Sequence, residues 1–316
     1  MTVEKIRSAF WSLKAYKASG PDGLHVGFCH SFWPMVGDSV VRKVKRIFME
    51  KKVPEYLNQT HIALIPKIQS PETIGNYQPI SLCNTIYKVV AKIIVARLKP
   101  NLEKLISPLQ TAFVPGRKGI DNAIIVQELI HSISKKKGRV GDMSIKLDLE
   151  KAYDKLEWAF IRNMLLRINL LENLIDLIMS CATSVSTSFL LNGAPLKPIL
   201  PSRGIRQGDP LSPYLFILCI EYLGQLIEEK CSNKLWNPIK ASQSGSAFSH
   251  LMFANDLVLF ARADHLNSST IREVLDEFWE VSGQTLSEAK SKVYFSLNVD
   301  EGTREELSDV LGFAST

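Results

Sequence analysis

The stretch Leu251-Met252-Phe253-Ala254-Asn255-Asp256-Leu257-Val258-Leu259-Phe260 predicts a β-hairpin. Two short apolar runs flank a polar pair, Asn255 and Asp256, and such residues favour tight turns between strands. The tip of this hairpin is therefore expected to present an amide and a carboxylate to solvent or to a ligand.

A second carboxylate ends a predicted strand farther upstream. Residues 143–149 alternate, so that Ile145, Leu147 and Leu149 face one way and Asp148 faces the other. Carboxylates on adjacent strands that converge on two metal ions, ~3.5–4 Å apart, are the arrangement that nucleotidyl transfer requires. From spacing alone, ordinary turn and cap chemistry is the simpler explanation of both acidic residues.

Composition limits the class of protein. The chain has 316 residues, of which 46% are hydrophobic, and this is enough to bury a sizeable core. The net charge of +6 is compatible with a nucleic-acid partner. The five cysteines are scattered without a CxxC or Cys/His cluster, so they predict neither a zinc site nor a disulfide framework and fit a reducing, intracellular setting. We expect no signal peptide and no membrane span, because the longest apolar stretch is too short.

Hydrophobic periodicity predicts an α+β layer without repeats or linkers. Helices are expected at residues 3–17, 36–51, 84–99, 121–135, 158–171, 212–230 and 269–281. Strands are expected at residues 61–66, 143–149 and 292–295, and a hairpin pairs 186–191 with 197–200 around Asn192-Gly193. Ser212 and Pro213 open their helix as N-cap and first helical residue.

Eight motifs in order resemble those of LINE-type (non-LTR) retrotransposon reverse transcriptases in their plant-like form. The four palm motifs are Lys146-Leu147-Asp148-Leu149-Glu150-Lys151-Ala152-Tyr153-Asp154 with Trp158, Arg203-Gly204-Ile205-Arg206-Gln207-Gly208-Asp209-Pro210-Leu211-Ser212-Pro213, Phe253-Ala254-Asn255-Asp256, and Ser282-Gly283-Gln284 with Lys290-Ser291-Lys292. The upstream motifs are Gly20-Pro21-Asp22-Gly23-Leu24, Leu64-Ile65-Pro66-Lys67, Pro79-Ile80-Ser81-Leu82 and Ala112-Phe113-Val114-Pro115-Gly116-Arg117. Each short string is weak alone, and their order makes the resemblance specific.

The resemblance implies a right-hand polymerase fold with a ferredoxin-like palm and mostly helical fingers. A single domain is expected, with fingers at about residues 1–140, a palm at about 141–300, the 200–230 region bridging them, and a chain that ends before the thumb. The implied reaction is RNA-directed DNA polymerisation, in which dNTPs extend a DNA primer on an RNA template and release pyrophosphate. Two Mg²⁺ ions, or Mn²⁺, are the implied cofactors. The nucleus or the cytoplasm is the implied location.

The resemblance also assigns metal and sugar contacts. Asp148 and Asp256 would bind the metal ions, and the Leu149 carbonyl would help to bind one of them. Tyr153 would exclude a ribose 2′-hydroxyl and so select deoxynucleotides, which disfavours an RNA-templated RNA polymerase. Without the motif, Tyr153 would be read as a packed aromatic residue at a strand-to-helix corner.

Further residues would contact the nucleotide. Gln207 and Gly208 would line the incoming nucleotide, Lys67 would lie near the triphosphate, and Lys290 is a candidate acid for the pyrophosphate. Without the motifs, Gln207 and Gly208 would be interpreted as a turn before a helix, Lys67 as a solvated strand end and Lys290 as a surface charge. The basic run from Lys135 to Arg139 would track a nucleic-acid backbone, or is a solvated loop.

Three residues depart from the family pattern. Asn255 stands where the first hairpin carboxylate is usual, Gln78 where arginine is usual, and Ser287 where asparagine is usual. The Ser287 change is the mildest of the three. Because Asn255, Gln78 and the expected lack of a thumb would all weaken the same step, we expect a catalytically impaired copy. The alternatives are a catalytically silent nucleic-acid-binding module, a decayed element remnant that does not fold and, less well supported, an intron-encoded maturase.

Overall fold

The computed structural model describes residues 1–242, 244–287 and 289–315. The α-helices in this part of the chain are α1 Val3–Trp11, α2 Val26–Ser31, α3 Trp33–Glu50, α4 Thr85–Leu98, α5 Leu102–Leu105, α6 Gly119–Ser134, α7 Trp158–Arg167, α8 Glu172–Thr183, α9 Ser212–Ser232, α10 His265–Ser282 and α11 Glu301–Leu311. The strands are β1 Gln59–Pro66, β2 Tyr77–Cys83, β3 Asp142–Asp148, β4 Ser186–Leu191, β5 Ala194–Pro195, β6 Ile239–Lys240, β7 Ala247–Phe248, β8 His250–Phe253, β9 Asp256–Arg262, β10 Lys292–Phe295 and β11 Ala314–Ser315. The fold is therefore a mixed α/β fold, as the sequence predicts at this coarse level.

The chain forms two compact units that interleave in sequence. The first unit comprises Met1–Pro100 and Leu156–Leu215, and the second comprises Asn101–Lys155 and Phe216–Thr316. The predicted division into fingers and palm stays a prediction.

The first unit contains a sheet in the strand order β2-β1-β4-β5. β1 pairs with β2 in antiparallel fashion and with β4 in parallel, with Gln59 opposite Ser186. Helix α4 is apolar on most sides, and its Val89, Val90 and Ile94 are fully buried. The parallel pairing joins segments far apart in sequence, and nothing in the sequence predicted it.

The predicted Asn192-Gly193 hairpin is confirmed at its turn, but its second strand is displaced. Both turn residues have positive φ, 51° and 81°, as a two-residue hairpin turn favours. β4 pairs with Ala194–Pro195 directly after the turn, whereas residues 197–200 make only one bridge, between Thr187 and Ile199. A tight turn places the strand next to it in register, and a proline in that strand cannot donate to the ladder and shortens it.

The second unit contains the sheet that holds the predicted hairpin. Its strand order is β11-β10-β3-β9-β8, with β3 antiparallel to both β10 and β9. A buried cluster of Leu129, Ile133, Ile239, Leu251 and Phe260 packs helix α6 against this sheet. Burial of each of these apolar side chains stabilises the folded protein by on the order of 1.5–3 kcal/mol. The face of the sheet that carries them is therefore the one that packs against helix α6.

Several predicted helix bounds were wrong. The helix predicted at residues 3–17 ends at Trp11, because the Ser12 hydroxyl donates to the Ala9 carbonyl oxygen at 2.7 Å and competes with the helical pattern. The helix predicted at 158–171 ends at Arg167, and α8 follows it without having been predicted. The helix predicted at 269–281 begins earlier, at His265, because Asp264 caps it by accepting from the Asn267 amide.

Among the described residues, no helix combines the length and the apolar character that crossing a membrane would need.

Candidate functional site

The two predicted metal ligands face each other across neighbouring strands. In the antiparallel pairing of β3 with β9, Asp148 lies directly opposite Asp256. Residues in such positions have Cα atoms roughly 4.5–5.5 Å apart and side chains on the same face of the sheet. The Asp148 side chain is 27% exposed, and Asp256 is exposed. Two carboxylates therefore stand side by side at one end of the sheet, within reach of solvent.

The turn beside these carboxylates differs by one residue from the prediction. Phe253 pairs with Asp256, so the two-residue turn is Ala254-Asn255, and Asp256 is the first residue of β9. Ala254 has a φ of 55°, in the left-handed region that non-glycine residues rarely adopt. Holding an alanine there costs on the order of 1 kcal/mol, so surrounding contacts must stabilise the turn. Asn255 is half-buried beside Asp256.

The fourth motif surrounds Asp148. The Ser287 amide donates to the Asp148 carbonyl oxygen at 2.9 Å, and the Asp148 amide donates to the Ser291 hydroxyl at 3.2 Å. Lys290 Nζ lies 3.8 Å from Asp148 Oδ1, with its own side chain 70% exposed. A pair that long and that exposed contributes little to stability, but it places a cation at the carboxylate.

Tyr153 is packed as well as positioned. Its ring stacks on Phe216 with centroids 5.1 Å apart and an interplanar angle of 12°, and burial raises the pKa of its hydroxyl. The loop that holds it is fixed by buried Gln284, whose Nε2 donates to the Ala152 carbonyl oxygen at 2.8 Å. Leu149 is buried and forms a single antiparallel bridge with Leu286. Tyr153 is thus a packed aromatic residue, as expected without the motif. Its role in excluding a ribose 2′-hydroxyl stays a prediction.

The predicted nucleotide contacts Lys67, Gln207 and Gly208 belong to the first unit. The Ser81 amide donates to the Gln207 carbonyl oxygen at 2.8 Å. Gly208 has a φ of 100°, and a Cβ added there would lie 3.2 Å from the Ser81 carbonyl oxygen. Glycine is therefore favoured at this position, and any other side chain would be strained there. Lys67 is exposed at the end of β1, and Gln78 pairs with Ile65 on the neighbouring strand.

A buried ionic network beneath Gln207 escaped the sequence prediction. The Arg206 guanidinium donates to Asn58 Oδ1 at 2.8 Å and to Thr60 Oγ1 at 2.9 Å, and it forms an ion pair with Asp209 at 2.8 Å. The Tyr87 hydroxyl donates to the Asp209 carboxylate, and the Tyr87 ring lies 4.1 Å from the guanidinium carbon. Burial raises the pKa of Tyr87 well above its usual value. The opposite charges of Arg206 and Asp209, three residues apart in one motif, were the available signal in the sequence. Their burial cannot be predicted from the sequence of the motif alone.

The basic run after α6 lies in the second unit. Lys136 Nζ forms an ion pair with Asp142 Oδ2 at 2.7 Å, while Lys135 caps the end of α6. Part of the run is therefore used within the protein, and the predicted contact with a nucleic-acid backbone is untested.

The donor set at Asp148 and Asp256 is compatible with a divalent cation. Carboxylate, amide and backbone carbonyl oxygens are the ligands that hard divalent cations prefer. No group of three or more His, Cys, Asp or Glu side chains suited to a metal ion occurs in the part of the chain that the structure describes. The described site thus offers two facing carboxylates, and the turn residue next to Asp256 is the neutral Asn255.

Most of this chain, including Asp148 and Asp256, is similar to known proteins. Residues 65–314 match the family model described as reverse transcriptase (RNA-dependent DNA polymerase). The chain is 29% identical over 265 residues to the transposon TX1 uncharacterized 149 kDa protein of Xenopus laevis, covering 83% of this chain and 20% of that protein. It is 28% identical over 261 residues to the retrovirus-related Pol polyprotein from the type-2 retrotransposable element R2DM of Drosophila melanogaster, covering 83% and 23%. It is 26% identical over 240 residues to the Pol polyprotein from the type-1 retrotransposable element R2 of Popillia japonica, covering 76% and 32%. The chain thus spans no more than a third of the length of these curated relatives.

Proposed function

The chain belongs to the reverse transcriptase (RNA-dependent DNA polymerase) family, and we propose that its Asp148 and Asp256 form the divalent-metal site of RNA-directed DNA synthesis. Its relatives are proteins of non-LTR retrotransposons, and the family uses divalent metal ions. The observation that supports the proposal is the cross-strand register that sets Asp148 opposite Asp256. An RNA template, a DNA primer and dNTPs are the proposed substrates.

We propose Mg²⁺ as the ion, with Mn²⁺ as a substitute, and two ions in the complete site. When bound, a divalent cation supplies activation of the attacking primer hydroxyl and charge neutralisation at the leaving pyrophosphate. Asp148 and Asp256 hold it with charged oxygens, with help from the Leu149 carbonyl. Lys290, which lies at Asp148, is the proposed proton donor to pyrophosphate.

The remaining contacts belong to substrate selection. Tyr153, fixed by its stack on Phe216, presents a rigid ring that is proposed to exclude a 2′-hydroxyl. Gln207 and Gly208 are proposed to contact the nucleotide and Lys67 the triphosphate. The five-stranded sheet of the second unit is proposed to belong to a ferredoxin-like palm at about residues 141–300, since it holds both carboxylates. The proposed fingers are residues 1–140, approximately.

Asn255 is proposed to impair this copy. An amide oxygen can bind a hard cation, but it lacks the full negative charge that the family pattern has at this position. Metal catalysis contributes several kcal/mol, so we expect a loss of ~10²–10⁴-fold in rate.

Primer extension on an RNA template with dNTPs and Mg²⁺ or Mn²⁺ tests the proposal. The parent chain is compared with Asn255→Asp and Asp148→Ala, and Asn255→Asp is expected to extend the primer ~10²-fold faster or more than the parent. Asp148→Ala is expected to abolish extension. Extension by Asp148→Ala at the parent rate would contradict the proposal.

A catalytically silent nucleic-acid-binding module is the second candidate function. It is favoured by the neutral Asn255 and by the absence, within the described ranges, of a third acidic side chain at the carboxylate pair. Its signature is binding of a primer–template duplex that weakens steeply with salt while neither the parent nor Asn255→Asp extends the primer. Fluorescence anisotropy at several salt concentrations measures the binding.

A further inference from the structure

The loop between α5 and α6 extends the edge of the sheet beside the Ala254-Asn255 turn. Met252 on β8 donates its amide to the Leu109 carbonyl oxygen at 2.9 Å and accepts from the Thr111 amide at 3.2 Å. Gln110 and Met252 thereby form a parallel bridge. All of these residues belong to the second unit, and the loop is thus built onto the strand that leads into the turn.

Gln110 holds both backbone polar groups of Ala254. The Gln110 side-chain oxygen accepts from the Ala254 amide at 3.1 Å and from the Ala112 amide at 2.9 Å, and its Nε2 donates to the Ala254 carbonyl oxygen at 3.4 Å. Gln110 is only 1% exposed, so its amide group has few other partners available. Ala254 is the residue with the unfavourable positive φ, and these bonds stabilise it from the side chain of a distant loop.

The loop itself is held by two further side chains. The Arg117 guanidinium donates to the carbonyl oxygens of Gln110 at 2.7 Å and Ile106 at 2.9 Å, and also to that of Ser107. Asn122 Nδ2 donates to the carbonyl oxygens of Leu109 and Met252, both at 2.9 Å. These bonds fix Gln110 before any ligand binds, as a supporting shell does around a binding group.

We propose that Gln110 is a positioning residue that holds the Ala254-Asn255 turn, and with it Asp256, in the geometry for binding a divalent cation. Gln110 touches no proposed ligand or substrate and acts only through the backbone of Ala254. This inference rests on the proposed function, since the turn matters for chemistry only if Asp256 binds metal. It adds to that function a residue for which the family resemblance implied no role.

Amide hydrogen exchange and Mn²⁺ binding test the proposal together. The variants are Gln110→Leu, which loses all three hydrogen bonds, and Gln110→Glu, whose carboxyl group keeps the acceptor for the two amides. Gln69→Leu is the matched control, because Gln69 is exposed, belongs to the first unit and undergoes the same substitution. Exchange is followed in the peptide covering residues 251–256 by mass spectrometry, and Mn²⁺ binding by electron paramagnetic resonance.

Gln110→Leu is expected to raise exchange in this peptide about tenfold and to weaken Mn²⁺ binding about three- to tenfold. Gln110→Glu is expected to lie between Gln110→Leu and the parent, and it serves as the test if Gln110→Leu fails to fold. A change confined to the turn, with the exchange of β3 unaltered, separates positioning from a general loss of stability. Parent-like exchange in both Gln110 variants, or the same change in Gln69→Leu, would overturn the inference. If the parent binds no Mn²⁺, the proposed metal site fails, and the exchange data alone decide whether Gln110 holds the turn.

Discussion

Replacing Arg206 by leucine is expected to destabilise the protein far more than any surface substitution in the same loop. Arg206 forms an ion pair with Asp209, and the two side chains are 8% and 4% exposed. Breaking a buried ion pair by removing one partner costs about 3–5 kcal/mol, because the other charge is left buried without compensation. Asn58 and Thr60 lose their guanidinium donors as well. Because a protein of this kind has a total stability of about 5–15 kcal/mol, the loss should be readily measured.

Urea denaturation followed by circular dichroism measures this loss. With an m-value of about 3 kcal/mol/M, the midpoint of Arg206→Leu should fall by at least ~1 M urea. Arg203→Leu is the matched control, because Arg203 pairs with Glu157 at 3.2 Å with side chains 50% and 41% exposed. An exposed pair is worth about 0–1 kcal/mol, so the control should stay close to the parent.

A double-mutant cycle separates the ion pair from simple packing loss. Combining Arg206→Leu with Asp209→Leu removes both charges, so the double variant should be more stable than the sum of the two single losses predicts, by at least ~1 kcal/mol. If the losses of stability in the two single variants simply add in the double variant, neither single variant leaves an uncompensated buried charge. A loss for Arg206→Leu no larger than that of Arg203→Leu would refute the reasoning about burial altogether.

Three further outcomes follow from the structure. Burial raises the pKa of Glu221 to about 7, so its contribution to the free energy of unfolding is present below pH 4.5 and is lost as pH rises to 7. Burial lowers the pKa of His250 to about 4, so its contribution is present above pH 6.5 and is lost as pH falls to 4. The two contributions change the free energy of unfolding in opposite directions between pH 4.5 and 6.5. In Glu221→Gln only the His250 contribution remains, so the free energy of unfolding, measured by urea denaturation at each pH, should rise with pH across this window. A flat profile would contradict the burial of His250. Gly208→Ala places a Cβ at a φ of 100° and 3.2 Å from a backbone carbonyl oxygen, so it should cost about 1–3 kcal/mol in the same assay, and a neutral result would show that the loop relaxes freely. Asn255→Asp adds a negative charge beside Asp148 and Asp256, so it should lower the melting temperature by a few degrees without metal and raise it in millimolar Mn²⁺, and the rise should vanish when Asp148 is alanine.

The place of each carboxylate within its own strand or hairpin was predictable, because the relevant signals are local. Alternation in β3 fixes the face of Asp148, and the polar pair between two apolar runs fixes a hairpin near Asp256. Both signals depend on neighbours within a few residues. The exact turn was missed by one residue, because Ala254 has a positive φ that its residue type does not favour. Its backbone is hydrogen-bonded to Gln110, a residue distant in sequence.

The sequence by itself determined the family, the mixed helix and strand content and the turn at Asn192-Gly193, and it predicted Asp148 and Asp256 as the proposed metal ligands. Only the tertiary structure decided the parallel pairing of β1 with β4, the register that sets Asp148 opposite Asp256, and the burial of Arg206 and Gln110. The physical reason is that local conformation depends on steric and hydrogen-bonding preferences of adjacent residues, which a string displays directly. Strand register and the desolvation of a polar side chain depend on groups that are brought together only after distant segments have packed.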